Sequence, residues 1–192
     1  MDRSEILIKG FQSGDKEAFD KLVLENMNKV FNLCYRFVGN YEEADDCAQE
    51  TFIKVYRHLN KFRFQSAFST WLYRIAVNTC KNHLKSAGYR NSKETVSIDK
   101  DIRSNEGETY KFEIKDETLS PANVLERKEK SAQIQSAINS LSGEHKEVVV
   151  LRDIEGLSYG KIAEITGNEL GTVKSKLARA REKLREKLKG LI

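Results

Sequence analysis

FRFQSAFSTWLYRIAVNTCKNHLK, from Phe62 to Lys85, places five aromatics, several cations and a set of hydroxyl side chains in a loop followed by a helix. Ser69 or Thr70 can cap that helix, because a short side-chain oxygen accepts from the first unpaired backbone amides. Leu72, Ile75, Ala76, Thr79 and His83 then fall on one face at helical spacing, and Trp71, Arg74, Asn78, Lys81, Asn82 and Lys85 on the other. The second face is basic and amide-bearing, with aromatics at its entrance. Such a surface suits a nucleic-acid strand: cations neutralise phosphates, amides read base edges and rings stack on exposed bases. The plainer reading is a solvated charged face over an ordinary core, with Phe62, Phe64, Phe68 and Trp71 as filling.

Working outward, the chain has 192 residues, 39% hydrophobic and 32% charged. That balance fits an all-α protein of two small helical domains better than one large core. The formal charge of +4 is unevenly placed: Val173–Lys189 holds eight basic residues against Glu182 and Glu186, whereas Asp99–Glu117 leans acidic. A polyanion partner for the basic ends is the expectation. Cys34, Cys47 and Cys80 form no CxxC pair and fall at apolar helical positions, so free buried thiols in a reducing cytosol are expected. His58, His83 and His145 lack metal-ligand spacing, and no glycine-rich phosphate loop or nucleophile–base pair is evident. No cofactor, no metal and no enzymatic chemistry are expected. The apolar run Val148–Leu151 is too short to span a bilayer and nothing resembles a signal peptide, which points to the cytoplasm without membrane insertion.

Towards the N-terminus, Ser4–Gln12 reads as a short helix, and Asp15 caps the next, which carries Ala18, Phe19, Leu22 and Val23. Val30, Cys34, Phe37 and Val38 extend the pattern after a bend expected near Asn26–Asn28, and Gly39–Asn40 ends it. Tyr41–Leu59 has a strong apolar stripe of Ala44, Cys47, Ala48, Thr51, Phe52, Val55, Tyr56 and Leu59. Its opposite side aligns Asp46, Gln49, Glu50, Ile53 and Arg57, an isoleucine among polar groups. From Ser86 to Leu119 the helical signal fades into a hydrophilic, flexible linker.

A second domain opens at Ser120–Pro121, with Pro121 at a first helical position. Leu125, Ile134, Ala137, Ile138 and Leu141 mark one helix; Ser142 caps another bearing Val148, Val149, Leu151 and Ile154. Ser158 caps a short helix with Ile162, Ala163 and Thr166 inward, closed by Gly167. A turn through Asn168–Gly171 leads to a long helix with Val173, Leu177, Ala180, Leu184 and Leu188 on its buried stripe. This is a helix-turn-helix pattern. Lys174, Ser175, Lys176 and Arg179 then stand where a recognition helix reaches base edges, and Thr172 where it could cap and touch phosphate.

Three strings carry a family resemblance. FSTWLYRIAVN resembles the promoter-melting segment of bacterial sigma factors of the extracytoplasmic-function group, and EEADDCAQETFIKVY their polymerase-binding helix. GLSYGKIAEITG followed by GTVKSKLARAREKL resembles their −35-reading domain. The motifs stand in the family's order across nearly the whole chain. The resemblance implies a polymerase-binding, −10-reading domain over 1–87, a linker over 88–119 and a −35-reading domain over 120–192. It implies that Asp46, Gln49, Glu50 and Ile53 dock on the clamp coiled coil of the largest subunit of core RNA polymerase, with the flap of the second-largest subunit as a further contact. It implies a pocket around Arg63–Ser69 for a base flipped from the −10 element. Arg63, Phe64, Phe68, Ser69, Trp71, Arg74, Asn78 and Lys81 are the −10 candidates; Trp71 fits either the core or a base contact. Thr172, Lys174, Ser175, Lys176 and Arg179 are the −35 candidates. It also implies promoter DNA as ligand and an anti-sigma partner released by a stress signal. The turn departs from the family's usual form at Glu169–Leu170, and Lys174 and Lys176 stand where arginine is common, which argues against bidentate guanine reading. The main rival is a stand-alone helix-turn-helix regulator, which leaves Ile53 and the Phe62–Lys85 stretch without a role.

Overall fold

The structure is a computed structural model that describes the backbone of residues 2–94 and 121–189, with side chains for 2–86 and 130–189. The acidic stretch and most of the expected linker lie outside the described residues, as does the side chain of Leu125. Every regular element described is helical: α1 (Arg3–Gln12), α2 (Lys16–Val38), α3 (Tyr41–Leu59), α4 (Phe68–Glu94), α5 (Pro121–Asn139), α6 (Gly143–Val149), α7 (Tyr159–Thr166) and α8 (Leu170–Lys187). A π-helical turn, Val150–Ile154, extends α6.

Local chemistry sets most of these bounds. The Asp15 carboxylate accepts from Glu17 N and Ala18 N at the start of α2, Asn40 accepts from Glu43 N at the start of α3, and Ser158 accepts from Lys161 N at the start of α7. Each satisfies amides that have no intrahelical partner. α2 runs unbroken through Asn26–Asn28 and does not bend into two pieces there; the Asn26 side chain donates to Leu22 O at 2.8 Å, inside its own helix. α4 begins at Phe68, so Ser69 and Thr70 lie within its first turn and not at its cap. It also continues to Glu94, past the boundary expected at 87: no proline interrupts Lys85–Glu94, and a single Gly88 costs only about 1 kcal/mol. α8 likewise begins at Leu170, which puts Thr172 inside the first turn; its carbonyl accepts from Ser175 Oγ at 3.0 Å.

Helices α1 to α4 pack around Leu22, Leu33, Phe37, Leu59 and Leu72, all at most 2% exposed. Full burial of such side chains contributes roughly 1.5–3 kcal/mol each. Cys34, Cys47 and Cys80 meet in this core from α2, α3 and α4 as free thiols. The hydrogen bond between Cys47 and Cys80, with burial, pushes the Cys47 thiol up, and a bond to Cys34 does the same for Cys80. All three pack as small apolar groups, and Cys47 and Cys80 stay protonated.

Helices α5 to α8 pack around Ile138, Val148, Leu151, Ile162, Val173 and Leu177, which continue the same hydrophobic cluster. Two expected core residues are displaced. Ile154 is 38% exposed because it ends the π turn, where the added residue shifts the face that points inward. Ile134 is 45% exposed; the buried side of α5 at that level is Gln135, which faces α2. On α3, Phe52 is half-buried and Tyr56 is exposed, packed edge-on against Phe11 and Phe19 at 5.4 and 5.0 Å.

The two halves touch along α2 and α4. Lys146 Nζ donates to Phe37 O at 2.9 Å, and Gln135 Nε2 to Arg36 O at 3.2 Å. These are among the last carbonyls of α2, groups a helix leaves unpaired, at the end where the dipole favours a cation. Gly39 closes α2 at φ 79°, and a Cβ there would lie 2.3 Å from Asn139 Nδ2, so glycine is needed both for the turn and for the approach of α5.

Candidate nucleic-acid interface

The loop between α3 and α4 is tied down at its base. Lys61 N donates to His58 O and Phe62 N to Leu59 O, and the Gln12 amide from α1 donates to both Leu59 O and Phe62 O at 3.1 and 3.0 Å. On that base Phe62 is buried, with the rings of Phe64 and Trp71 both 5.1 Å from it and Phe68 at 6.2 Å. Phe64 takes φ 56°, the described non-glycine residue with left-handed backbone. That conformation costs roughly 1–2 kcal/mol for a residue with a Cβ. It turns the ring outward, 37% exposed, with Lys9 Nζ 5.5 Å from its centre. Strain of this kind persists where the surrounding structure holds it, commonly at ligand clamps.

Beside this aromatic group lies a cleft of about 400 Å³ lined by Lys61, Phe62, Arg63, Gln65, Ser66, Trp71 and Arg74, with Glu164 from α7 at its edge. An apolar wall under a rim of three cations, an amide and a hydroxyl can stack a base and hold its backbone. Trp71 serves both of its sequence readings: it packs on Phe62 and Phe68 and lines the cleft. Phe68 is buried beneath it. Ser69 opens on a separate crevice of about 90 Å³ with Tyr73 and Lys161. Asn78 is exposed further along α4. The sequence reading includes Gln65 and Ser66 only as part of the loop and omits Lys61, whose place follows from the turn that ends α3.

Arg74 and Lys81 are engaged. The Arg74 guanidinium donates to Glu164 O, and Lys81 Nζ reaches both Glu147 carboxylate oxygens at 3.1 and 3.3 Å. Glu147 is almost fully buried; burial pushes its carboxyl above the usual range, and Lys81 opposes that shift. Tyr73, absent from the sequence candidates, donates to Glu155 Oε2 at 2.8 Å; burial and that bond push its phenol up. Burial likewise lowers Lys146, the cation at the end of α2.

On α8, Lys174 and Arg179 are exposed, with Lys174 Nζ 6.0 Å from the Tyr159 ring. Lys176 is held at the turn, 3.0 Å from Glu144 and 3.3 Å from Asn168 Oδ1. Arg181 grips Asp153 through two nitrogens, at 2.5 and 3.1 Å, and fixes α8 to the π turn. Lys174, Ser175 and Arg179 thus share an outward face, while Lys176 is drawn aside.

A third surface lies on α3 and α2. Ile53 is 51% exposed and stands between two apolar clefts of about 630 and 530 Å³. Gln49 lines the second; Asp46 is exposed outside both, and Glu50 pairs with Lys54 at 2.8 Å. α2 supplies Leu24 and Met27, 69% and 46% exposed, which the sequence reading passes over because they lie off the buried stripe. Among the described residues no group of three or more His, Cys, Asp or Glu could hold a metal ion, and no helix is long and apolar enough to cross a membrane.

The chain matches family models for Sigma-70 region 2 over residues 22–89 and Sigma-70 region 4 over 131–184. It is 41% identical to the RNA polymerase sigma-H factor of Pseudomonas aeruginosa, covering all of this chain and 96% of that one. It is 40% identical to an ECF RNA polymerase sigma-E factor of Haemophilus influenzae, over 98% and 96% of the two chains. Among solved structures, CnrH in complex with the cytosolic domain of CnrY aligns with TM-score 0.69 at 25% identity, over 98% and 99% of the chains. A sigma factor RpoE of Bartonella quintana, in complex with the anti-sigma factor NepR, aligns with TM-score 0.65 at 22% identity, over 89% and 96%.

Proposed function

The chain belongs to the sigma-70 family, in its extracytoplasmic-function group, and on that footing we propose how its three surfaces share the work of promoter-specific initiation. Ile53, with Gln49 and the neighbouring Leu24 and Met27, docks on the clamp coiled coil of the largest polymerase subunit; Asp46 and Glu50 flank that contact. The aromatic cleft receives a base from the opened −10 strand. Lys174, Ser175 and Arg179 read the −35 duplex in the major groove, with Thr172 and Lys176 beside them. The flap of the second-largest subunit contacts the second domain. The first domain runs through α4 to Glu94 and the second spans 120–192, with a linker between them. The chain does no covalent chemistry, works in the cytoplasm and is held inactive by an anti-sigma factor, the kind of partner that the Bartonella quintana RpoE binds in its complex with NepR.

The observation that carries the strand-capture assignment is the Phe64 backbone. A bulky residue is kept in a costly conformation between Arg63 and Gln65, both of which line a cleft with a stacking wall and a cationic rim. Unstacking a base costs a few kcal/mol, and a preformed wall with stacking offsets that cost. Cations along the rim add a sequence-independent, salt-sensitive attraction.

In vitro transcription from fragmented genomic DNA, with bacterial core polymerase and with or without the chain, tests the reading. New transcripts sharing two spaced upstream motifs are expected. Ile53→Glu should abolish them and polymerase association together, with the helical spectrum intact. Specific duplex binding without any new start would return the stand-alone regulator.

A further inference from the structure

Helix α1 holds the loop that carries the aromatic cleft. The match to Sigma-70 region 2 begins at residue 22, which leaves α1 outside it. Ile8 and Phe11 bury one side of this helix, with the Phe11 ring 5.6 Å from Phe19 on α2 and 5.4 Å from Tyr56 on α3. Lys9 and Gln12, one turn apart, reach the loop from there. Lys9 Nζ stands 5.5 Å from the centre of the Phe64 ring, and Gln12 Nε2 donates to Leu59 O and Phe62 O.

The bonds from Gln12 replace a missing stop signal. Helices α2 and α7 close on left-handed glycines, Gly39 and Gly167. Helix α3 has none: Asn60 keeps right-handed backbone at φ −61°, and the last carbonyls of the helix need partners from elsewhere. Leu59 O accepts from Phe62 N at 3.0 Å, and the Gln12 amide takes its second lone pair. The same nitrogen bonds the Phe62 carbonyl, so one side chain fixes both ends of the turn. Phe62 is the hub of the stacking wall, with the Phe64 and Trp71 rings both 5.1 Å from it. Holding its backbone therefore holds the spacing of all three rings. A site kept in its binding geometry before the ligand arrives is spared the cost of ordering at the moment of binding.

We infer that α1 is the brace of the strand-capture site and Gln12 its positioning residue: the amide bridge to Leu59 O and Phe62 O keeps the stacking wall ready for an unstacked base. Gln12 touches no base itself and acts through Phe62. The inference rests on the strand-capture reading above. Gln12 is exposed, so its replacement opens no cavity in the core.

Trp71 is the sole tryptophan of the chain and lines the cleft, so its emission reports on that site. The full-length chain would be titrated with a random-sequence pool of single-stranded DNA about 15 nucleotides long, following Trp71 quenching. Acrylamide added to the DNA-free chain reads the exposure of the same ring. Gln12→Met keeps the length of the side chain and removes both donors. It should raise the half-saturating DNA concentration about tenfold, the size of effect that one or two lost hydrogen bonds produce, and make Trp71 more accessible to acrylamide. Gln12→Ala, which favours the helix, should act the same way and stands in if the methionine variant fails to fold by circular dichroism. Asn40→Ala removes the cap bond to Glu43 N at the opposite end of α3. It should lower the thermal midpoint and leave both Trp71 readouts unaltered.

Unchanged half-saturation in the Gln12 variants, whatever acrylamide shows, would overturn the inference and leave a loop that holds itself. An equal loss of DNA response in Asn40→Ala would overturn it too, because lost stability alone would then weaken capture. A wild-type Trp71 that does not respond to DNA removes the strand-capture site and the brace with it. A wild-type response that survives in Gln12→Met at the same half-saturation removes only the brace.

Discussion

Helices α4 and α8 carry the same chemistry, and the chain treats them in opposite ways. Both are amphipathic, with lysine, arginine and small polar groups on the outward face. On α4 the cations Arg74 and Lys81 already have protein partners and the nearest acid, Glu147, is buried with them. On α8, Lys174 and Arg179 face outward and only Lys176 is drawn to a carboxylate. The difference follows from what lies opposite. α4 is packed on one side against α2 and α3 and on the other against α7, whereas the far side of α8 meets nothing described. Basic composition therefore does not decide whether a surface is presented or held in reserve; the neighbouring element does.

The sharpest way to break that comparison is to strip each face in turn and measure duplex binding by the free chain. Lys174→Ala with Arg179→Ala should weaken binding to promoter duplex by about 100-fold in a gel shift, since contacts of this kind contribute roughly 1–3 kcal/mol each. Arg74→Ala with Lys81→Ala should leave free-chain duplex binding nearly unchanged while lowering initiation by the polymerase-bound chain. Equal losses of duplex binding from both pairs would mean that α4 is as open as α8.

Gly39→Ala tests the join between the halves. The added Cβ meets the Asn139 amide, and φ 79° is strained for any side chain. A loss of about 1–2 kcal/mol in urea unfolding is expected. If strain alone were responsible, Asn139→Ala would not rescue any of it; partial rescue would locate the cost at the contact between α2 and α5.

Phe64→Asn should change stability by less than about 1 kcal/mol. Asparagine accepts left-handed backbone more readily than phenylalanine, which offsets the lost ring contact with Phe62. The same variant should weaken Trp71 quenching by single-stranded DNA. A large loss of stability with unaltered quenching would make Phe64 a structural ring and not part of the clamp.

How much of this was legible in the sequence depends on how far away the deciding contact lies. The span of α3, the Asp15, Asn40 and Ser158 caps and the left-handed Gly39 and Gly167 are set within a few residues, and the pattern reads them correctly. Tyr73 and Val77 are buried on the second side of α4, off the single stripe that periodicity reveals, because what covers that side comes from residues far along the chain. Gln135 is buried and Ile134 exposed for the same reason. Ile154 was misplaced by a π turn that hydrophobic spacing does not signal. The cleft was anticipated through resemblance and aromatic content, but Phe64's backbone conformation carries no local signature, since nothing in Arg63–Gln65 asks for positive φ.

The smallest effect separates the two basic faces by electrostatics alone. His145 stands on α6 alongside the middle of α8, its Nδ1 3.1 Å from Ser142 Oγ. Burial first, then the charges of Lys183, Arg179 and Lys176, hold its pKa below the ordinary histidine value, and Glu144 partly opposes them. Because the folded value is depressed, the native chain binds fewer protons than the unfolded one just below pH 6.5. The stability His145 contributes is present above that range and lost as pH falls through the folded pKa. Phosphates laid across α8 would offset Lys183, Arg179 and Lys176, so duplex DNA should move the His145 titration upward when followed by NMR of its ring protons. Added salt, which screens the same charges, should move it in the same direction to a lesser extent. A single-stranded oligonucleotide captured at α4 should leave it in place. If both ligands shifted His145 alike, the two faces would not be distinct sites, and the contrast between a surface held in reserve and a surface on offer would collapse.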